Sequence, residues 1–174
     1  MPERPVSTPA GMDFTGLVRQ HQAMVFSIAW HVLRDRAVAE ELAQDVFLSL
    51  HQHLATLESP GHALFWLRRV TSNRALDVLR RRQRHPMVSL ENAPEPVALS
   101  PAGDPLLGTA LRRLVGALPE KARAIVVLRY QEDLDPAEIA KILDIPVGTV
   151  KSQLQRALAL LREKMSRTLG EIGL

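Results

Sequence analysis

The stretch from Leu134 to Leu154, LDPAEIAKILDIPVGTVKSQL, decides the fold. Its Asp135-Pro136 pair predicts the start of a short helix, because a carboxylate caps the first N–H groups and proline suits the first turn. Asp144-Ile145-Pro146 predicts a tight turn, and a second helix then begins near Val147 or Gly148. A short helix, a three-residue turn and a second helix together predict a helix-turn-helix.

The second helix of this motif has two dissimilar faces. Its predicted buried side carries apolar residues at helical spacing: Val150, Leu154, Ala157 and Leu161. The other side carries small, polar and basic residues: Gly148, Thr149, Lys151, Ser152, Gln155, Arg156, Ala159 and Arg162. An ordinary solvated helix also shows polar residues, but the preceding turn favours a helix that reads a DNA major groove.

Two helices precede this motif. Asp104 followed by Pro105 is a helix-start signal, and a further helix opens at Pro119. The second of these carries apolar residues toward a core: Ala122, Ile125, Val126 and Leu128. With the helix-turn-helix they form a helical lobe.

The N-terminal half of the chain predicts three more helices. Apolar residues recur at helical spacing from Phe14, Asp35 marks a short break, and the turn from Glu58 to Gly61 ends the second helix. The third helix runs from about His62 to Arg84. No segment shows the period-two alternation of a strand, so the fold class is all-α.

The stretch from His85 to Pro105 separates two lobes, because it holds five prolines and its charged residues after His85 are acidic. The predicted organisation is a disordered tail over 1–12, a helical bundle over 13–84, a flexible proline-rich linker over 85–105 and a second bundle over 106–174.

Composition excludes several classes of protein. The chain has 174 residues, 46% of them hydrophobic, and no cysteine, so disulfides, Cys-ligated zinc and thiol catalysis are absent. We expect a cytoplasmic protein without membrane insertion, since no apolar run approaches the ~20 residues of a membrane span. His51 and His53 are two residues apart, which is not the spacing of a helical zinc pair, and we expect no metal, cofactor or catalytic residue.

Two helix faces of the N-terminal lobe carry residues that packing of its core does not require. On the second helix, Leu48 points away from the predicted core beside polar residues, which describes either a stray exposed leucine or a protein-docking patch. On the third helix, Trp66, Arg69, Asn73 and Arg80 share one sector. An aromatic among Arg and Asn suits unstacked bases, although a partly buried Trp66 would explain that residue equally well.

These motifs together resemble bacterial RNA polymerase sigma factors of the extracytoplasmic-function group. Ala39–Leu48, AEELAQDVFL, resembles the polymerase-docking helix of that family, and Phe65–Arg81, FWLRRVTSNRALDVLRR, resembles its melting and minus-ten helix. The region that binds the minus-thirty-five element in that family is resembled by three stretches of the C-terminal half: Leu118-Pro119, Val127–Tyr130 and Ile145–Ser152.

The resemblance implies a role for each set of residues. Polymerase binding would fall to Glu41, Gln44, Asp45 and Leu48. Minus-ten DNA would be read by Trp66, Arg69, Val70, Asn73 and Arg80, with the loop from Leu57 to His62. Minus-thirty-five DNA would be bound by Thr149, Lys151, Ser152, Gln155, Arg156 and Arg162. The implied partners are core RNA polymerase, promoter DNA and an anti-sigma factor.

The chain departs from the family pattern at three positions. Asp144 stands where members often have glycine, and aspartate tolerates the left-handed conformation such a turn needs. Gln153 and Leu158 stand where many members carry arginine, which removes two phosphate contacts.

Three other functions are weaker interpretations of this sequence. A helix-turn-helix repressor would need only the second lobe and a dimerising surface. A sigma mimic that binds only an antagonist would keep the docking faces and lose the base-reading positions. An enzyme would need a phosphate loop, a nucleophile motif or paired carboxylates, and the sequence shows none of these.

Overall fold

The computed structural model describes residues 12–85 and 105–171, with side-chain surroundings for 12–85 and 108–167. The predicted tail up to Gly11, most of the predicted linker and the predicted cap at Asp104 lie outside these ranges. The described residues form the following helices: α1 (Phe14–Leu33), α2 (Arg36–His53), α3 (Pro60–Arg84), α4 (Pro105–Gly116), α5 (Glu120–Tyr130), α6 (Pro136–Leu143) and α7 (Val147–Glu171). No strand occurs among them, and the all-α prediction is confirmed.

Short polar side chains fix where several helices begin. Asp13 accepts a hydrogen bond from the Gly16 N–H, and Asp135 forms a capping box with Glu138. The sequence placed the start of the third helix at about His62, but α3 begins at Pro60. Ser59 caps this helix, accepting from the His62 N–H at 3.1 Å, and Pro60 occupies the first turn.

The predicted apolar stripes form the core. On α2, Leu42, Val46 and Leu50 are buried. On α7 the whole predicted stripe is buried: Val150, Leu154, Ala157 and Leu161. The α6–α7 turn has Asp144 in the left-handed region, at φ 54°, as the sequence predicted for this position.

Helix α5 lies at the centre of the molecule and joins the two lobes. Its residues from Ala122 to Leu128 are all buried, where the sequence predicted burial of only four of them. A helix buried all round has neighbours on every side. The helices α1 and α3 pack against it from the N-terminal lobe, and α4, α6 and α7 from the C-terminal lobe. The two bundles therefore share one continuous hydrophobic core.

None of the helices within 12–85 and 105–171 is both long enough and apolar enough to span a lipid bilayer.

Candidate nucleic-acid and protein interfaces

The face of α7 opposite its buried stripe is open to solvent. Most of its predicted DNA-binding residues are exposed, namely Lys151, Gln155, Arg156 and Arg162, and Thr149 and Ser152 are partly buried. The Ser152 hydroxyl donates to the Thr149 carbonyl at 3.0 Å, which holds this side chain against its own helix. All six residues lie on the outward side of the helix-turn-helix.

Two features of this face suit a nucleic acid. Among the described side chains neither Lys151 nor Arg156 has an ion-pair partner, so both cations are available to phosphates or base edges. A Cβ built on Gly148 would meet nothing within 4 Å, so internal packing does not require glycine here. The bare backbone at Gly148 lets another molecule approach the start of α7 closely.

The outward face of α2 carries the predicted docking residues. Glu41, Gln44, Asp45 and Leu48 are all exposed, and Leu48 is 64% exposed. Their spacing of three, four and seven residues places them on one side of the helix. The prediction that Leu48 points away from the core is confirmed.

An apolar groove, which was not predicted from the sequence, lies beside this face between α1 and α2. From α1 it is lined by Phe14, Val18 and Phe26, and from α2 by Phe47 and Leu48. The α1 residues recur at multiples of four, a second stripe offset from the buried one. That second stripe is the signal in the sequence that could have revealed the groove.

On α3 the predicted base-reading residues differ in their surroundings. Trp66 is half-buried against the core, with its ring 5.6 Å from that of His53, so the core interpretation of Trp66 holds in part. Val70 also packs partly against the core. Arg80 is exposed and lies 2.9 Å from Asp77 on the same helix, a surface ion pair that costs little to break.

Asn73 and Arg69 on α3 are held by the other lobe. The Asn73 side chain donates from Nδ2 to the Ile142 carbonyl and to the Arg69 carbonyl, each at 2.9 Å. The Arg69 guanidinium donates to the Lys141 carbonyl at 3.0 Å. Arg69 and Asn73, two of the five residues that the resemblance assigned to minus-ten DNA, thus contact the C-terminal end of α6.

An ion pair lies at the same junction between the lobes. Arg68 of α3 donates from Nε and Nη2 to Oε2 of Glu132, in the loop between α5 and α6, at 3.2 and 3.1 Å. Both side chains are largely buried. Burial of His21, assisted by the positive charge of Arg68 and opposed by Glu132, lowers the pKa of the imidazole.

A buried arginine on α5 makes a further contact between the lobes. Arg123 donates from Nη1 to the Val32 carbonyl near the end of α1 at 2.6 Å, and from Nη2 to the Leu118 carbonyl at 3.3 Å. Burial lowers the pKa of the Arg123 guanidinium, and the nearby Arg34 adds to that effect.

Within the described residues no group of three or more His, Asp or Glu side chains is arranged to hold a metal ion.

Comparison with known proteins identifies the two lobes separately. Residues 17–85 match the family model of sigma-70 region 2, and residues 108–161 match that of sigma-70, region 4. The chain is 34% identical over 160 residues to the ECF RNA polymerase sigma factor SigE of Mycolicibacterium smegmatis, covering 87% of this chain and 61% of SigE. It is 33% identical over 159 residues to the RNA polymerase sigma-E factor of Streptomyces coelicolor, covering 88% of this chain and 86% of that protein.

A solved structure has the same fold. The sigma factor RpoE of Bartonella quintana, determined in complex with the anti-sigma factor NepR, superposes with a TM-score of 0.71 at 23% identity. The match covers 88% of this chain and 97% of RpoE. The chain spans about three fifths of SigE, and it covers most of the Streptomyces relative at one-third identity. These matches, with both region models present in order along the chain, place the protein in the extracytoplasmic-function family of RNA polymerase sigma factors.

Proposed function

We propose that this protein binds core RNA polymerase and directs it to a specific set of promoters. In this proposal residues 13–84 act as region 2, residues 106–174 act as region 4, and residues 85–105 connect them. The role is one of recruitment and recognition, and we assign no catalytic step to the chain. We place it in the cytoplasm, where bacterial polymerase and promoter DNA are found.

The observation that carries this proposal is the presence of two separate exposed faces in one chain of this family. One is the α7 face, where Lys151 and Arg156 have no ion-pair partner among the described residues. The other is the α2 face around Leu48, which suits a protein. A repressor would require the first alone.

For polymerase binding we propose the exposed α2 residues, Glu41, Gln44, Asp45 and Leu48, with the adjoining apolar groove. Leu48 supplies apolar area, and the carboxylates of Glu41 and Asp45 favour a partner surface with positive charge. The same face and groove suit an anti-sigma factor, which we propose as a competing partner. Its test is whether such a protein and core polymerase exclude each other in a binding titration.

For the minus-ten element we propose Trp66, Arg69, Val70, Asn73 and Arg80, with the loop from Leu57 to His62. Asn73 has both a donor and an acceptor and so can read a base edge, while the arginines suit phosphates. Leu57 is buried at the start of this segment, and Ser59 within it caps α3.

For the minus-thirty-five element we propose Thr149, Lys151, Ser152, Gln155, Arg156 and Arg162 on α7. Gln155 and Arg156 lie within reach of base edges in a major groove, whereas Lys151 and Arg162 flank them where phosphates run.

Transcription in vitro tests the function directly. Core polymerase is incubated with genomic templates, with and without this protein, and the 5′ ends of the transcripts are sequenced. We expect start sites that require the protein and share two upstream elements. Absence of any protein-dependent start site would refute the proposal.

A further inference from the structure

We propose that Val147, the first residue of α7, recognises the methyl group of a thymine in the minus-thirty-five element. The inference deepens the proposed function, and it rests on that function for the placement of α7 in a DNA major groove. Three observations support it: the exposure of Val147, the chemistry of its neighbours along the chain, and the set of chemical groups that a major groove presents.

Val147 is one of a few large apolar side chains that the described residues leave exposed. It is 38% exposed, whereas Val150, three residues further along α7, is fully buried. Valine also forms helices less readily than alanine or leucine, because its branched side chain loses rotamer freedom there. Packing and helix formation therefore account for only part of this residue.

The position of Val147 is the leading end of the second helix of the helix-turn-helix. In this motif the N-terminal residues of the second helix are the ones that contact base edges. The Cα–Cβ bonds of an α-helix tilt toward its N-terminus, so the Val147 side chain projects ahead of α7. When this end of α7 enters a major groove, Val147 approaches the base pairs.

The neighbours of Val147 favour an apolar contact. Pro146, Val147 and Gly148 are consecutive and exposed, and none of their side chains can donate or accept a hydrogen bond. A Cβ placed on Gly148 would meet nothing within 4 Å, so the space beside Val147 is open to another molecule. Lys151 lies one turn further along the same side of α7 and is exposed, which suits a phosphate at the edge of the groove.

A major groove presents one methyl group to such a side chain. The base pairs expose hydrogen-bond donors and acceptors there, together with the C5-methyl group of thymine. A donor or acceptor covered by valine would lose its water without gaining a hydrogen bond, whereas the thymine methyl gains from an apolar neighbour. Val147 therefore favours thymine over the other three bases at the position that it contacts.

Selection of DNA by the holoenzyme tests whether Val147 carries a base preference. Core polymerase assembled with the full-length chain is used to select from a library of random-sequence duplexes. We expect an enriched upstream element with one preferred thymine that holoenzyme containing Val147→Ala no longer prefers. If Val147→Ala keeps every thymine preference, this inference is wrong and the proposed function stands. If no element is enriched by the unmodified protein, the proposed function is refuted, and this inference with it.

Replacing that thymine with uracil isolates the methyl group, because uracil pairs in the same way and lacks only the C5-methyl. For the unmodified protein we expect uracil to weaken binding of the selected duplex about fourfold, the effect of losing one buried methyl group. Val147→Ala should bind the thymine and uracil duplexes alike, and Val147→Ile, which keeps a branched apolar side chain, should still prefer thymine. If Val147→Ala binds more weakly but keeps the fourfold preference, valine only supports the start of α7 and the inference fails.

Leu160→Ala is the matched control. Leu160 lies on the same helix and is also 38% exposed, but it follows Val147 by thirteen residues. At 1.5 Å per residue this separation is about 20 Å, too far for contact with the same base pair. Leu160→Ala should therefore keep the fourfold preference for thymine over uracil, whatever its overall affinity. Loss of the preference in Leu160→Ala as well would show that it does not reside at Val147. Circular dichroism and thermal melting establish that the variants remain folded.

Discussion

Replacing Leu48 with aspartate separates docking from folding. Leu48 is 64% exposed, so only about a third of its side chain contributes to the stability of the fold. Full burial of a leucine is worth about 1.5–3 kcal/mol, and the fold therefore loses about 0.5–1 kcal/mol when this contact is removed. The helix itself stays intact, because Leu42, Val46 and Leu50 hold its buried side.

The effect on polymerase binding should be larger. Docking would bury the remaining two thirds of the side chain, worth about 1–2 kcal/mol, and a carboxylate placed there would be desolvated without a partner. We expect a loss of at least about 2.7 kcal/mol, or about a hundredfold in affinity for core polymerase.

Leu50→Asp is the matched control, two residues along the same helix at a position that is fully buried. It should unfold the lobe, because it buries a charge in an apolar core. Binding of labelled protein to core polymerase is measured by fluorescence anisotropy, and stability by urea denaturation. The reasoning is wrong if Leu48→Asp unfolds like Leu50→Asp, since α2 would then be rotated from the orientation described. It is also wrong if the folded variant binds polymerase as tightly as the unmodified protein.

Three further predictions concern the proposed DNA-binding residues and pH. Asn73→Ala should relax sequence preference at one position of the minus-ten element and leave binding to a minus-thirty-five duplex unchanged; equal loss of both would indicate misfolding. Arg156→Ala should remove about 1–3 kcal/mol of discrimination within the minus-thirty-five element, while Lys151→Ala should weaken all sequences alike and reduce the salt slope by about one. Isotherms on matched and mismatched duplexes at several salt concentrations distinguish these roles, and a uniform loss in Arg156→Ala would make it a phosphate contact. Burial lowers the pKa of His21 in the folded protein, so the unfolded chain binds this proton more readily. His21 therefore stabilises the fold fully above pH ~6.5, and this contribution is lost as the pH falls toward the folded-state pKa. In His21→Gln, urea denaturation should show that the free energy of unfolding depends less on pH over this range.

Local signals in the sequence were sufficient to predict most of the individual helices. Asp135-Pro136 and Asp144-Ile145-Pro146 specify the helix-turn-helix through capping and turn chemistry, which depend on neighbouring residues alone. The two faces of α7 followed from periodicity, since one stripe is strictly apolar. The start of α3 was placed late because Ser59-Pro60 was interpreted as a turn, although it is also a capping signal.

The packing of the lobes depends on contacts between residues far apart in the chain, and it was not predicted from the sequence. Asn73 bonds to a backbone carbonyl 69 residues away, and Arg123 to one 91 residues away. A backbone carbonyl has no residue-specific signal, so no motif announces such an acceptor. The interpretation of Asn73 as a base reader rested on its side-chain chemistry, which suits a carbonyl as well as a base.

One signal for this packing was nevertheless present in α5. The run from Ala122 to Leu128 is apolar except for Arg123, and a helix at the edge of a two-layer bundle would alternate more strongly between apolar and polar residues. A helix with apolar residues on all its faces is predicted to have neighbours on every side, and a single small lobe cannot supply them. The lone arginine in such a run must then find backbone or acidic partners when buried, because its charge cannot remain unpaired. Together these two features argue for a second lobe lying against α5, and the structure places α1 and α3 of the N-terminal lobe there.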